Sequence, residues 1–208
     1  MTNRAENLRR LRTGFGAAGR VPEAQWRELA QHFSQRELKK RTLWLRAGEP
    51  SLHLGFVVRG VFRLFYACRD GKEVNKSFVA EDDFLTSIGA SIEGVPSRLS
   101  IESLTDATIL TVPYAVVAGF YERDMFWQRL GRLMMERLVV KKLEREASLL
   151  MDTAAVRYEA FLREHASIEA RVPDHHIARY LGITPEALSR LRRARAAQRA
   201  QRPPRRKS

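Results

Sequence analysis

The stretch that decides the fold runs VPDHHIARYLGITPEALSRLRR from Val172 to Arg193, two short helical patterns separated by one glycine. Pro173 opens the first pattern, in which Ile177, Ala178 and Leu181 recur at helical spacing. Gly182 supplies the left-handed backbone a sharp turn requires, and Ile183 plugs the angle between the two helices. Thr184-Pro185 restarts the helix, a hydroxyl cap followed by a proline at the first helical position, where its missing N–H costs nothing. On the second helix Ala187, Leu188 and Leu191 face inward, leaving Glu186, Ser189, Arg190 and Arg193 on or near the opposite side. This is the pattern of a helix-turn-helix whose second helix enters a groove of double-stranded DNA. Arginine suits bidentate contact with guanine, glutamate accepts from cytosine, and serine adapts to either. Thr184, Glu186, Ser189, Arg190, Arg192 and Arg193 are therefore the candidate DNA contacts. An ordinary helical hairpin with a solvated basic face has the same pattern.

Charge distribution points the same way. The 208 residues carry a net charge of +13, with 44% hydrophobic and 29% charged residues, an ordinary composition for a globular chain apart from its basicity. Nine lysines and arginines and no acid lie between Arg190 and the C-terminus, so nine of the thirteen net charges are concentrated there. Residues 196–208 read as a flexible basic tail, since Pro203 and Pro204 end any helix; the tail either lies along phosphates or simply solubilises the chain.

Several function classes are excluded. A single cysteine, Cys68, leaves no internal disulfide and no all-cysteine metal or iron–sulfur site. His53 is the only histidine between His32 and His165, too few for a metal-dependent barrel enzyme, and the adjacent His175 and His176 cannot share one metal on a helix. No nucleophile has an evident base and no glycine-rich phosphate loop occurs, so no catalytic residue is assigned. Without a membrane-length apolar run or the apolar core of a signal peptide, the chain reads as cytoplasmic and of bacterial type.

The first half has a different texture. After a glycine- and alanine-rich, flexible start over residues 1–20, Trp26, Leu29, Ala30 and Phe33 mark a helix from Pro22 to Phe33. Short strands follow, punctuated by turns: 43–45, 53–58, 61–68 running into Asp70-Gly71, then 74–79, 99–104 and 108–112. Many short strands with regular glycine turns predict an antiparallel double-sheet barrel. From Glu122 to Met151 a long helix carries apolar residues over more than one stripe, among them Phe126, Leu130, Leu133 and Leu138. So wide an apolar surface needs two partners, its own barrel and a second subunit, unless the helix is buried in a monomer. Asp152 or Thr153 caps the helix that leads to the DNA-binding region. The chain is thus α+β, with an N-terminal antiparallel β jelly-roll over 21–121, a dimerisation helix over 122–151 and a C-terminal helix-turn-helix over 152–195.

Three stretches in this order, HLGFVVRGVFRLFY (53–66) with DGKEVNKSF (70–78), EDDFLTSIGASIEGVPSRLSIESLTDATILTVP (81–113) and the helix-turn-helix, resemble the Crp/Fnr superfamily over residues 22–195. These are the bacterial regulators related to the cyclic-AMP receptor protein. The resemblance implies a homodimeric transcription factor in which Glu186 and Arg190 hold base-reading positions. Pro185 falls where the family has a first recognition-helix arginine, which implies a different DNA preference. Cyclic-nucleotide binders use a phenylalanine-glycine-glutamate-leucine stretch and an arginine-serine pair to grip ribose and phosphate. Here the matching positions are Phe84-Leu85-Thr86-Ser87 and Ser97-Arg98, lacking the glycine and glutamate and reversing the pair. Thr86, Ser87, Ser97 and Arg98 are the candidate effector-pocket residues, with Arg98 pointed away from the pocket by a one-residue strand shift. The departures argue against cyclic-AMP control and leave another small effector or none. The resemblance also implies RNA polymerase as a partner. The competing reading is a ligand-binding or protein-interaction module that associates with nucleic acid only nonspecifically.

Overall fold

Glycine turns and two-residue alternation build the first half of the chain, in a computed structural model that describes residues 3–200. Strands β1 (Ser34–Leu38), β2 (Leu43–Leu45) and β3 (His53–Arg59) lead to Gly60, where φ is +117° and an added Cβ would stand 2.5 Å from that of Ala107. No L-residue fits such a corner, so the turn into β4 (Phe62–Ala67) needs glycine. Asp70-Gly71 then closes the predicted hairpin to β5 (Glu73–Val79). The remaining strands are β6 (Phe84–Leu85), β7 (Ser100–Ser103) and β8 (Ala107–Pro113), with the short helix α3 (Ile88–Glu93) between β6 and β7. They form two antiparallel four-stranded sheets in the orders β1-β8-β3-β6 and β2-β7-β4-β5. This is the expected double-sheet architecture.

Strand β8 shows how the layers are assigned. Its alternate residues Ala107 and Ile109 join Val57, Phe62, Leu85 and Ile101 in one core cluster, while Leu110 and Val112 face the other way. That second face is covered by helices α2 (Glu23–Gln31), α4 (Tyr114–Tyr121) and α5 (Met125–Met151), through Trp26, Leu29, Phe120 and Trp127. Trp127 meets Phe15 and Phe120 edge-on, at centroid distances of 6.0 and 5.4 Å.

The N-terminus corrects the expectation of a flexible start. Residues Arg4–Gly14 form a helix, α1, followed by a 3-10 turn over Phe15–Ala18. Leu8, Leu11 and Phe15 repeat at helical spacing among the arginines and are buried in the same core as Trp26. The arginines then anchor the helix edges. Arg4 donates to the carbonyls of Ala30 and Phe33, while Arg10 grips Asp82 with both Nε and Nη2 and reaches the Val58 carbonyl at 2.9 Å.

Two compact units divide the chain, residues 1–145 and 146–208, so the boundary falls inside α5. The second unit holds the end of α5, α6 (Ala154–Glu164), a 3-10 turn over Glu169–Arg171, α7 (Asp174–Leu181) and α8 (Pro185–Ala200). Its core is Phe161, Ile168, Ile177, Leu181 and Leu188, each nearly inaccessible. Helix α8 runs to Ala200, so residues 196–200 of the expected flexible tail are helical, and residues 201–208 lie outside the described residues. Among the described residues, no helix is long and apolar enough to cross a membrane.

Candidate nucleic-acid interface

The turn between α7 and α8 is built by the residues that the sequence singles out. Gly182 adopts φ +69°, ψ +35° and caps α7, with the N–H of Ile183 donating to the Ala178 carbonyl at 3.0 Å. The Thr184 hydroxyl accepts from the Ala187 N–H at 3.2 Å, so it caps α8, and Pro185 occupies the first helical position. Arg157 of α6 locks the junction by donating to the carbonyls of Leu181 at 3.0 Å and Asp152 at 2.6 Å. The next cap upstream is Thr153, which accepts from the Val156 N–H.

Fully buried Leu188 fixes which side of α8 faces the core. Thr184, Glu186, Arg190 and Arg193 are exposed and Ser189 is half-buried, so these five predicted contacts are accessible. Glu186 and Arg190 stand one turn apart, and Arg193 Nη2 donates to the Ser189 hydroxyl at 3.3 Å. The Glu186 carboxyl is held below the usual carboxylate range by its own backbone N–H first, then by the Thr184 hydroxyl and the nearby Arg190 charge. It therefore remains an acceptor at neutral pH.

Arg192, also among the expected contacts, is engaged within its own unit. Its Nη1 donates to Asp174 of α7 at 2.6 Å, its Nε to the Tyr158 hydroxyl of α6 at 3.2 Å and its Nη2 to Glu169 at 3.4 Å. Tyr158 in turn donates to Glu169 at 3.0 Å. Burial disfavours the charged guanidinium, but the bonds to Tyr158 and Asp174 outweigh it and its pKa is raised. Arg195 likewise donates to Glu159 of α6 at 2.6 Å. Positions 192 and 195 continue the inward row from Leu188 at i+4 and i+7, which is the signal in the sequence that separates them from Arg190 and Arg193.

Three of the four predicted dimerisation residues pack inside their own unit. Leu130 is buried, and Phe126 and Leu133 lie against the same cluster as Trp127, because the first half of α5 covers the sheet. Leu138 is half-buried. Apart from Met125 at its first position, the large apolar side chains exposed on α5 come later, at Val139, Val140, Leu143, Leu149, Leu150 and Met151.

Of the predicted effector residues, Thr86, Ser87 and Ser97 are at least partly buried and Arg98 is exposed. Ser97 is buried and turned onto the backbone, donating to the Leu99 carbonyl at 2.8 Å and accepting from the Leu99 N–H, while Arg98 is exposed. Thr86 lies 3.5 Å from the hydroxyl of Ser91, which donates to the Ser51 carbonyl at 2.7 Å. Ser87 is buried at the start of α3, beside a half-buried Thr86. Thr86 and Ser97, the positions that the resemblance pairs with a carboxylate and an arginine, carry hydroxyls in this chain.

Comparison with known proteins agrees with this anatomy. A model of the cyclic nucleotide-binding domain matches residues 35–124, and no curated protein matches the chain in sequence. Among solved structures, FixK2 from Bradyrhizobium japonicum is 22% identical, over 80% of this chain and 85% of that one, with a TM-score of 0.71. The c-di-GMP-responsive global regulator CLP from Xanthomonas campestris is 16% identical, over 85% and 93%, with a TM-score of 0.66. A transcriptional regulator of the Crp/Fnr family from Eubacterium rectale is 18% identical, over 86% and 85%, also at 0.66. Residues 35–124 thus match the cyclic nucleotide-binding domain, in a chain whose fold is similar to that of solved Crp/Fnr-type structures.

Proposed function

We propose that the chain is a homodimeric, DNA-binding transcriptional regulator whose helix α8 reads the major groove through Glu186, Ser189, Arg190 and Arg193, with Thr184 at the groove-facing N-terminus. One observation carries this reading. The helix pair α7–α8 is capped at Gly182 and Thr184 and seated on Leu188, and it presents Glu186 and Arg190 side by side on the accessible face. That pairing offers an acceptor and a bidentate donor within one turn, the chemistry that distinguishes base edges. Dimerisation is supported by the exposed apolar residues of α5, where Val139, Leu143 and Leu150 share one side. Two copies would place their recognition helices on half-sites about 34 Å apart, one turn of DNA.

Cyclic-AMP control is not part of this proposal. The Ser97 hydroxyl is spent on Leu99, Arg98 is exposed, and Leu85-Thr86 replaces the glycine and carboxylate. The barrel takes another small effector or serves as a scaffold. RNA polymerase is the partner through which such a regulator would act, in the cytoplasm and without catalysis of its own.

Selection from a random duplex library tests the reading, using the full chain without added nucleotide beside a Glu186→Ala/Arg190→Ala variant. A palindromic motif enriched by the wild type and lost in the variant is the expected result. Equal, motif-free retention of DNA by both proteins, unchanged by cyclic nucleotides, would favour nonspecific association through the basic C-terminus.

A further inference from the structure

We infer that Arg192 is a positioning residue for base reading: it fixes the rotation of α8 about its own axis and does so without touching DNA. The inference rests on the DNA-reading function proposed above, and it reassigns a residue that the sequence alone places among the contacts.

The need for such a residue follows from geometry. Leu188 seats α8 by apolar contact, which is non-directional and penalises a small roll of the helix only weakly. A side-chain tip about 6 Å from a helix axis moves about 2 Å for a roll of about 20°. That displacement is more than the distance range of a hydrogen bond to a base edge tolerates. A seat that leaves α8 free to roll cannot hold Glu186 and Arg190 in register with base edges.

Arg192 removes that freedom because its acceptors stand on three separate segments. Asp174 of α7 lies at 2.6 Å, Tyr158 of α6 at 3.2 Å and Glu169 of the preceding 3-10 turn at 3.4 Å. A planar guanidinium can meet three such acceptors only in a narrow range of orientations. Tyr158 is itself held by Glu169 at 3.0 Å, so the acceptors are fixed to each other, and Arg195 adds a second tie to Glu159. Arg192 is two residues from Arg190, hence roughly 200° away around the helix. The same side chain cannot both make these bonds and reach the groove that Arg190 faces.

The competing role is a phosphate contact that Arg192 makes after release from its acceptors. The two roles predict opposite signs for changes on the acceptor side. Tyr158→Phe and Asp174→Asn leave every charge of α8 in place and loosen the clamp. Affinity should be measured by fluorescence anisotropy over a range of salt, for the duplex enriched by the wild type and for a scrambled duplex. Circular dichroism melts of each variant verify the fold.

If Arg192 positions α8, both acceptor variants and Arg192→Met lower the ratio of enriched to scrambled affinity by roughly tenfold, the scale of losing one good base contact. The scrambled affinity and its salt slope stay as in the wild type, and Arg192→Lys, which restores charge without the fork, keeps the loss. The inference is overturned if the acceptor variants bind both duplexes more tightly while Arg192→Met lowers the salt slope by about 0.9, the signature of one lost phosphate contact. An unchanged ratio in all variants overturns it as well. A wild type that discriminates no sequence removes the DNA-reading function and this role together, whereas discrimination that survives in every variant removes this role alone. Should Arg192→Met fail to fold, the two acceptor variants still decide.

Discussion

At Gly182 the backbone φ of +69° places the turn in the left-handed region, where an added Cβ has open space around it but an L-residue's backbone would be strained. Gly182→Ala should therefore cost about 1 kcal/mol of stability from conformation alone. A urea midpoint equal to that of the wild type would show that the turn relaxes. Glu186 gives a second residue-scale test. Its pKa is lowered, so the ionised form is favoured in the folded chain and stays present as pH falls past the ordinary glutamate range, disappearing only through the lowered value. An NMR titration of the Glu186 carboxyl should have its midpoint below that of an exposed glutamate, and Thr184→Ala should move it upward. A midpoint indifferent to Thr184 would leave the backbone N–H and the Arg190 charge as the causes. Residues of this kind were legible beforehand because their chemistry is local: glycine for a turn, hydroxyl and proline for a restart.

Among the elements, α5 is the most exacting. Gly131 sits where an added Cβ would stand 2.9 Å from the ring of Tyr121, whose phenol is half-buried and has its pKa raised by that burial and by Tyr114. Gly131→Ala should destabilise residues 1–145 by about 1–3 kcal/mol through overpacking, despite the better helix propensity of alanine. A raised thermal midpoint would mean that propensity wins and the ring moves aside. Further along, Val139→Glu/Leu143→Glu places charges on exposed apolar positions, so the folded monomer should tolerate it while the proposed dimer dissociates. Sedimentation velocity reads the difference, and an unchanged dimer would locate the interface elsewhere. The sequence revealed the length of α5 but not which apolar residues serve which partner, since both sets recur at helical spacing. It concealed β1 altogether. Ser34–Leu38 reads SQREL, an edge strand with polar residues and no alternation, and only its pairing with β8 defines it. Helix α1 was hidden for a related reason, its Leu8, Leu11 and Phe15 diluted by four arginines and a glycine-rich sequel.

For the whole molecule, charge sets the terms. Nine of thirteen net positive charges fall from Arg190 onward, so nucleic-acid affinity should decline steeply with salt, by about 0.9 in the log–log slope per phosphate neutralised. A flat salt dependence would mean that the basic end does not meet phosphates. Adding cyclic AMP should leave the affinity for an enriched duplex unchanged within about twofold, because a ligand without differential affinity for two states shifts neither. A larger response would place a nucleotide site in the barrel despite Ser97 and Arg98. The sequence disclosed the departures at these positions, yet only the fold shows the Ser97 hydroxyl engaged by Leu99. The double-sheet topology was legible from turns and alternation, whereas the ties that hold α8 were not, because their partners lie on three segments distant in sequence.

Leu188 and the guanidinium of Arg192 secure α8 from beneath, while Glu186, Ser189, Arg190 and Arg193 contribute little to holding it. Substitutions away from buried features usually change stability by less than about 0.5 kcal/mol. The four outward positions can therefore drift across lineages at small folding penalty, so that duplicated copies of such a gene could acquire separate operators while keeping one scaffold. A designer could exploit the same latitude by randomising those four codons and leaving positions 188 and 192 untouched.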